Sequence, residues 1–369
     1  MKRRKVLLSI TTLHGGGAER VVGIWAGELA ERGYDVTVML AGHVDNEYPL
    51  NSIVKVRTVA DRYSEYQQLS VVDKYRGKRK ILKEEKPDFL ISFLSQNRIW
   101  TYLTAWGLDC KRIETIRNSP WHTDIPTKGI ASKITFRSFE KCYKLLLQSS
   151  DQGKFFSDDI QKKTVVIPNP ISEIYEASYK KAFQDNVTTL IAAGRLTEQK
   201  NYFMMIDAFA LAIGQMQTAN KPILKIFGAE DSSDYAKKLR AFIQEKGMEE
   251  QILLMGRSSH IEEEYANADV FLMSSDYEGM PNALAEAMAS RLVCISTDCQ
   301  TGPRDLIDHG QNGYLVPVGD VKAMAEAIKK ACSMSKQQRM DIGDLARAKI
   351  MTYCSKENSI EKLCDLLGE

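Results

Sequence analysis

Eleven short runs rich in apolar residues alternate with longer amphipathic stretches, and the alternation starts twice. The first series is KVLLSI (5–10), DVTVML (35–40), DFLISFL (88–94), RIETIRN (112–118), YKLLLQSS (143–150) and TVVIP (164–168). The second is TTLIAAG (188–194), ILKIFG (223–228), QILLMG (251–256), DVFLMSS (269–275) and LVCIST (292–297). Runs this short and apolar suit strands covered on both faces, as parallel strands are. Several of the intervening stretches carry helical spacing, such as AERVVGIWAGELAERG (18–33), which closes on Gly33 as a stop signal. Strands alternating with helices predict an α/β fold, and the restart predicts two doubly wound, Rossmann-like domains. The rhythm breaks at IPNPISEIYEASYKKAFQDN (167–186), where two prolines and a charged stretch interrupt it. The expected domains are 1–168 and 169–369, with the last helix, about 350–369, packing back on the first.

A chain of 369 residues accommodates two such cores. No apolar run approaches the ~20 residues that span a bilayer. The opening apolar part, Val6 to Ile10, is too short for a secretory leader and reads as a buried strand. Seven dispersed cysteines without a C-x-x-C pair fit a reducing compartment and argue against a structural zinc site. The net charge of +2 hides an asymmetry. Residues 1–170 hold 28 Lys+Arg against 19 Asp+Glu, and the remainder holds 22 against 29. The basic half includes Lys2-Arg3-Arg4-Lys5 and KYRGKRKILKEEK (74–86). Such runs fit either a solvated helix face or an anionic partner such as a lipid surface. No motif that reads DNA or RNA accompanies them, so nucleic acid ranks last.

Open α/β sheets bind ligands at the carboxyl ends of their strands. Three loops expected there carry chemistry. HGGGAER (14–20) offers flexible backbone at a helix N-terminus, which suits an anion, although a tight strand–helix turn reads the same. The dinucleotide pattern G-x-G-x-x-G fails, because its sixth position is Arg20. GRLTEQKN (194–201) brings Arg195 and Lys200 to a strand–helix junction, a cradle for a diphosphate or a surface ion pair. EGMPNALAEAMA (278–289) puts Glu278 on the loop before a helix that Pro281 helps to start, and Glu286 inside it. A carboxylate on so close-packed a face needs a donor, and sugar hydroxyls provide one; a basic neighbour would serve too.

These residues resemble the retaining glycosyltransferases of family 4, of GT-B architecture. GGAER, IPNP, GRLTEQKN, MGRSSHIEEEYANADVFLMSSDYEGMPNALAEAMA, TGPRDLI and GYLV occur in the family's order over nearly the whole chain. The resemblance implies two Rossmann-like domains facing a central cleft. It assigns Arg195 and Lys200 to the donor diphosphate, Glu286 to the ribose hydroxyls and Glu278 to the transferred sugar. The backbone of Gly279, Met280, Pro281 and Asn282 would reach sugar hydroxyls and phosphate, and Gly16 and Gly17 would approach from the other domain. Where many relatives place a histidine after the fourth strand of the first domain, this chain has Asn118, with His122 four residues on.

The implied reaction transfers a hexose or N-acetylhexosamine, UDP-linked by preference, to a polyprenyl-phosphate-linked or other glycan acceptor with retention. No D-x-D is present, so the expectation is no cofactor and no metal. The expected location is the cytoplasm, peripheral on the inner membrane face. There Arg4, Lys5, Lys78, Arg79 and Lys80 would meet anionic lipid, and Val71, Val72, Tyr75, Ile81 and Leu82 would insert shallowly. The alternatives are a nucleotide-sugar epimerase of the same architecture and a non-catalytic sugar- or lipid-binding protein.

Overall fold

A computed structural model of the chain describes residues 3–122, 125–126, 128–177, 184–187, 189–217, 221–229 and 234–368. Lys2 and residues 178–183 of the interdomain stretch lie outside the described residues. The chain forms two compact units, residues 1–170 with 356–369, and residues 171–355.

The first unit holds seven parallel strands: β1 (Lys5–Ser9), β2 (Asp35–Leu40), β3 (Lys55–Thr58), β4 (Phe89–Ser92), β5 (Lys111–Thr115), β6 (Lys144–Leu147) and β7 (Thr164–Val166). Their order is β3-β2-β1-β4-β5-β6-β7. Central β1 pairs with β2 and β4, Val6 standing between Val36 and Phe89. Side chains alternate across the sheet. Val6 and Leu8 join Val22, Trp25 and Leu29 of the helix Gly17–Glu31, while Leu7 packs with Ile81 and Leu82 on the other face. The helix Lys356–Gly368 completes the first of these layers with Ile360, Leu363 and Leu367. It is tied down at both ends. Trp25 Nε1 donates to Ser359 Oγ at 3.0 Å, Ser359 donates to Pro168 O at 3.1 Å, and Arg4 donates to the carbonyls of Leu367 and Gly368.

The second unit holds six parallel strands: β8 (Thr189–Ala193), β9 (Ile223–Phe227), β10 (Ile252–Gly256), β11 (Val270–Met273), β12 (Val293–Thr297) and β13 (Tyr314–Val316), ordered β10-β9-β8-β11-β12-β13. Here too alternation builds both layers. Leu190, Val270 and Val293 face the helices Tyr202–Gln215 and Val321–Ser333; Ile191, Phe271 and Cys294 face Asn282–Ala289 and Lys336–Tyr353.

All eleven expected strands are present, and two more were not anticipated. β3 is a four-residue edge strand of Lys-Val-Arg-Thr, too polar and exposed to show an apolar run, and β13 has three residues. The basic helix Val71–Glu85 also differs from expectation. Lys78 is 1% exposed and hydrogen-bonds Asn97 Oδ1 at 2.9 Å. Arg79 donates to the carbonyls of Thr104 and Trp106, and Lys5 to that of Glu85. Ile81 and Leu82 are core residues. Lys5, Lys78, Arg79, Ile81 and Leu82 are therefore bound up in the fold rather than offered to a lipid surface, while Arg4 is exposed. Val71, Val72 and Lys80 do stand in solvent. Among the described residues no helix is long and apolar enough to cross a membrane.

Candidate active site

The crevice of a doubly wound sheet lies where the strand order reverses, because loops leaving the carboxyl ends there diverge to opposite faces. In the second unit that point is between β8 and β11. The loops leaving these strands are 194–201 and 274–281, the stretches that carry Arg195, Lys200 and Glu278.

Hydrogen bonds stitch the two loops together. Asp276 N donates to Gln199 O at 2.9 Å, and Gln199 Nε2 to Tyr277 O at 2.8 Å. Ser274 Oγ donates to Lys200 O at 2.7 Å, and Asn201 Nδ2 to Asp276 Oδ1 at 2.8 Å. At the centre Lys200 Nζ lies 2.5 Å from Glu278 Oε1, which also accepts from Ser275 Oγ at 2.7 Å. Both charged side chains are mostly withdrawn from water, at 16% and 8% exposure. Each therefore neutralises the other where a lone charge would be expensive. Arg195, five residues earlier, is exposed, with no side-chain partner among the described residues.

After the buried turn Gly279–Pro281 comes the helix Asn282–Ala289. Pro281 is its N-cap, with φ −77° and ψ 98°, one residue before the first turn in which the sequence suggested it. Pro281 itself makes no side-chain capping bond. Met280 and Asn282 sit at its entry, and Glu286, 8% exposed, lies one turn in, on the closely packed small-residue face.

Two residues that sequence reasoning passed over hold this turn from behind. Thr301 Oγ1 donates to the carbonyl oxygen of Glu278. Gly302, at φ +96°, presses so closely that a Cβ would stand 2.5 Å from Gly279 O and 2.7 Å from Pro281 Cδ. Within TGPRDLI nothing local distinguishes this Thr and Gly from those of any loop. Cys299, two residues before Thr301, is a buried thiol pushed up to about 12, by burial first and the Glu278 charge second. It stays protonated and unreactive at neutral pH.

In the first unit Gly16 is the N-cap of the helix Gly17–Glu31. The Glu19 carboxylate lies against Gly16 so closely that a Cβ there would collide with it. An anion reaching Gly16 and Gly17 has to displace that carboxylate. Asn118 follows β5, and its side-chain oxygen accepts from Ser119 N at 2.8 Å. His122 Nδ1 lies 2.8 Å from Ser119 Oγ. Among the described residues no group of three or more His, Cys, Asp or Glu is arranged to hold a metal ion.

Comparison with known proteins gives this geometry a context. The family model described as Glycosyltransferase Family 4 matches residues 15–173, and that described as Glycosyl transferases group 1 matches residues 174–349. An uncharacterized glycosyltransferase of Methanocaldococcus jannaschii is 27% identical over 251 residues; the match covers 62% of this chain and only 60% of the relative. A Campylobacter jejuni protein named as an α-1,4-N-acetyl-D-galactosaminyltransferase acting on an undecaprenol-diphosphate-linked glycan is 27% identical over 330 residues, 88% of each chain. Among solved structures, an Anabaena protein in complex with UDP and glucose superimposes with a TM-score of 0.77 at 16% identity, covering 99% of this chain and 100% of its own. The chain belongs to the group 1 glycosyltransferases and has the GT-B fold.

Proposed function

We propose that this protein is a retaining glycosyltransferase that moves a hexose or N-acetylhexosamine from a nucleotide sugar, UDP-linked by preference, to a hydroxyl of a lipid-linked glycan or polysaccharide precursor. The observation that carries the reading is the Lys200–Glu278 pair in the crevice between β8 and β11, with Arg195 exposed on the same loop. The names of the relatives favour the acceptor class, and UDP with glucose in the Anabaena protein favours the donor.

On this reading the donor diphosphate draws Lys200 away from Glu278 and binds it together with Arg195. The freed Glu278 carboxylate accepts a hydroxyl of the sugar. Glu286 takes the ribose hydroxyls, and the turn from Gly279 to Asn282 lies along the sugar and phosphate. The bond from the anomeric carbon to the diphosphate breaks, and the acceptor oxygen attaches on the same face. The acceptor's proton passes to a phosphate oxygen of the departing UDP. Arg195 and Lys200 stabilise the charge that accumulates there, as preorganised cations do, and the reaction runs without a metal. The enzyme works in the cytoplasm, where a lipid-linked acceptor would present its glycan at the inner membrane face.

The test is thermal stabilisation by UDP, GDP and their sugars, followed by product analysis. A ligand at 100 times its dissociation constant adds ~2.7 kcal/mol, a shift of roughly 5–10 °C for a unit of this size. UDP compounds should stabilise more than GDP compounds, and the product should keep the donor's anomeric configuration. No stabilisation by any nucleotide, or an inverted product, would refute the reading.

A further inference from the structure

Three residues past the end of β2, the backbone of His43 is held on both sides. His43 N donates to Asp61 O at 3.1 Å, and Tyr63 N donates to His43 O at 2.9 Å. Gly42 lies so close to this neighbour that a Cβ would stand 2.6 Å from the Arg62 carbonyl carbon. The imidazole is held as well. Its Nδ1 is 2.8 Å from Glu47 Oε2, and the other carboxylate oxygen accepts from Val44 N at 2.9 Å. A carboxylate only accepts, so Nδ1 carries the proton in the neutral ring and Nε2 keeps a lone pair. Among the described residues Nε2 has no partner, and 44% of the side chain stands in solvent.

The dyad adjoins the glycine loop. Tyr48 N donates to Leu13 O at 2.8 Å, His14 and Glu47 form an isolated antiparallel bridge, and His14 Nδ1 is 3.3 Å from Asp45 O. The segment 43–48 is thus stapled to Leu13 and His14, just before the glycine loop, at the carboxyl edge of the first sheet. A staple alone needs no ring nitrogen aimed into solvent, because the Glu47–Val44 bond and the bridge already hold the loop. In the neutral ring this fixed acceptor nitrogen matches a hydroxyl donor such as that of a carbohydrate.

We infer that His43, oriented by Glu47, is a binding residue for a hydroxyl of the acceptor glycan. This rests on the glycosyltransferase reading and extends it to the acceptor. His43→Asn keeps a group near Nδ1 and removes Nε2. His43→Gln can place its amide oxygen near the Nε2 position. Glu47→Gln can donate to Nδ1 and so reverse the ring's tautomer.

Kinetics would use UDP-sugars with octyl glycosides of galactose, glucose and N-acetylgalactosamine. The Asn variant should raise the acceptor KM about 10-fold, the cost of one hydrogen bond, with donor KM and transfer to water within twofold of wild type. The Gln variant should recover most of the loss. The five histidines also permit a readout that needs no turnover. In ¹⁵N-histidine-labelled protein the neutral-ring signal of His43, assigned by its loss in the Asn variant, should show the proton on Nδ1. It should move on titration with the glycosides in the presence of UDP and change tautomer in Glu47→Gln. An immobile His43 signal, or an Asn variant with unchanged acceptor KM, overturns the inference. Absence of nucleotide-sugar binding by the wild type would instead overturn the reading on which it rests.

Discussion

The Lys78 ammonium is buried in the first unit, and the cost of that burial can be read as a function of pH. It is 1% exposed; among the described residues its one hydrogen bond is to Asn97 Oδ1 and no carboxylate lies within ion-pair distance of it. Burial alone pushes its pKa down from 10.5 to about 8. At 1.36 kcal/mol per unit, that shift corresponds to about 3 kcal/mol. The sign follows from proton counting. Between pH 8 and 10.5 the unfolded chain binds a proton at Lys78 that the folded chain does not, so stability rises with pH across this window. Below pH 8 the full penalty applies. The buried thiol of Cys142, pushed up to about 12, works the other way, losing stability as pH rises above its ordinary range. Wild type and Lys78→Met share that loss, so their difference isolates the lysine. Methionine leaves Asn97 Oδ1 without its donor, at about 1–3 kcal/mol, but this cost does not change with pH. All four tryptophans (25, 100, 106 and 121) lie in the first unit, so urea unfolding followed by indole fluorescence reports that unit. Wild type should gain about 3 kcal/mol on Lys78→Met between pH 8 and 10.5. A difference that stays flat over that window would refute the argument. Lys78→Glu should be strongly destabilising, since it sets an unpaired carboxylate against Asn97 Oδ1.

Gly302→Ala should lower turnover with modest loss of stability, because the new Cβ must push the Gly279–Pro281 turn forward; unchanged kinetics in a folded variant would show that the turn tolerates displacement. Thr301→Val should act in the same direction and Thr301→Ser should restore activity, as steady-state rates would reveal. Arg195→Ala or Lys200→Ala should reduce kcat by ~10²-fold, the scale of lost transition-state electrostatics. Glu286→Gln should mainly weaken nucleotide binding in calorimetry, whereas Glu278→Gln should lower kcat more than donor affinity; the reverse pattern would exchange their roles.

The sequence alone was enough for the sheet interiors. A strand buried on both faces has to be apolar at nearly every position, so β1, β2, β4 and β11 declare themselves without knowledge of their neighbours. The loops worth watching were legible for a related reason: they follow those strands, and topology puts ligands at that edge. Edge strand β3 was not legible, since solvent on one side permits lysine and arginine there. Charge was the least legible property. Lys78, Arg98, Arg112 and Glu114 look like surface residues in the sequence, yet all are buried. Arg112 Nη1 lies 2.7 Å from Glu114 Oε1 on β5, and both bond Ser138 of the helix Gly129–Glu140. Likewise only packing set Lys200 on Glu278, 78 positions away, and Thr301 and Gly302 behind the turn. Hydrophobic periodicity is local and can be read along the chain. The partner that makes a buried charge or a bare glycine tolerable comes from a distant segment, and only the folded arrangement of strands and helices decides which one it is.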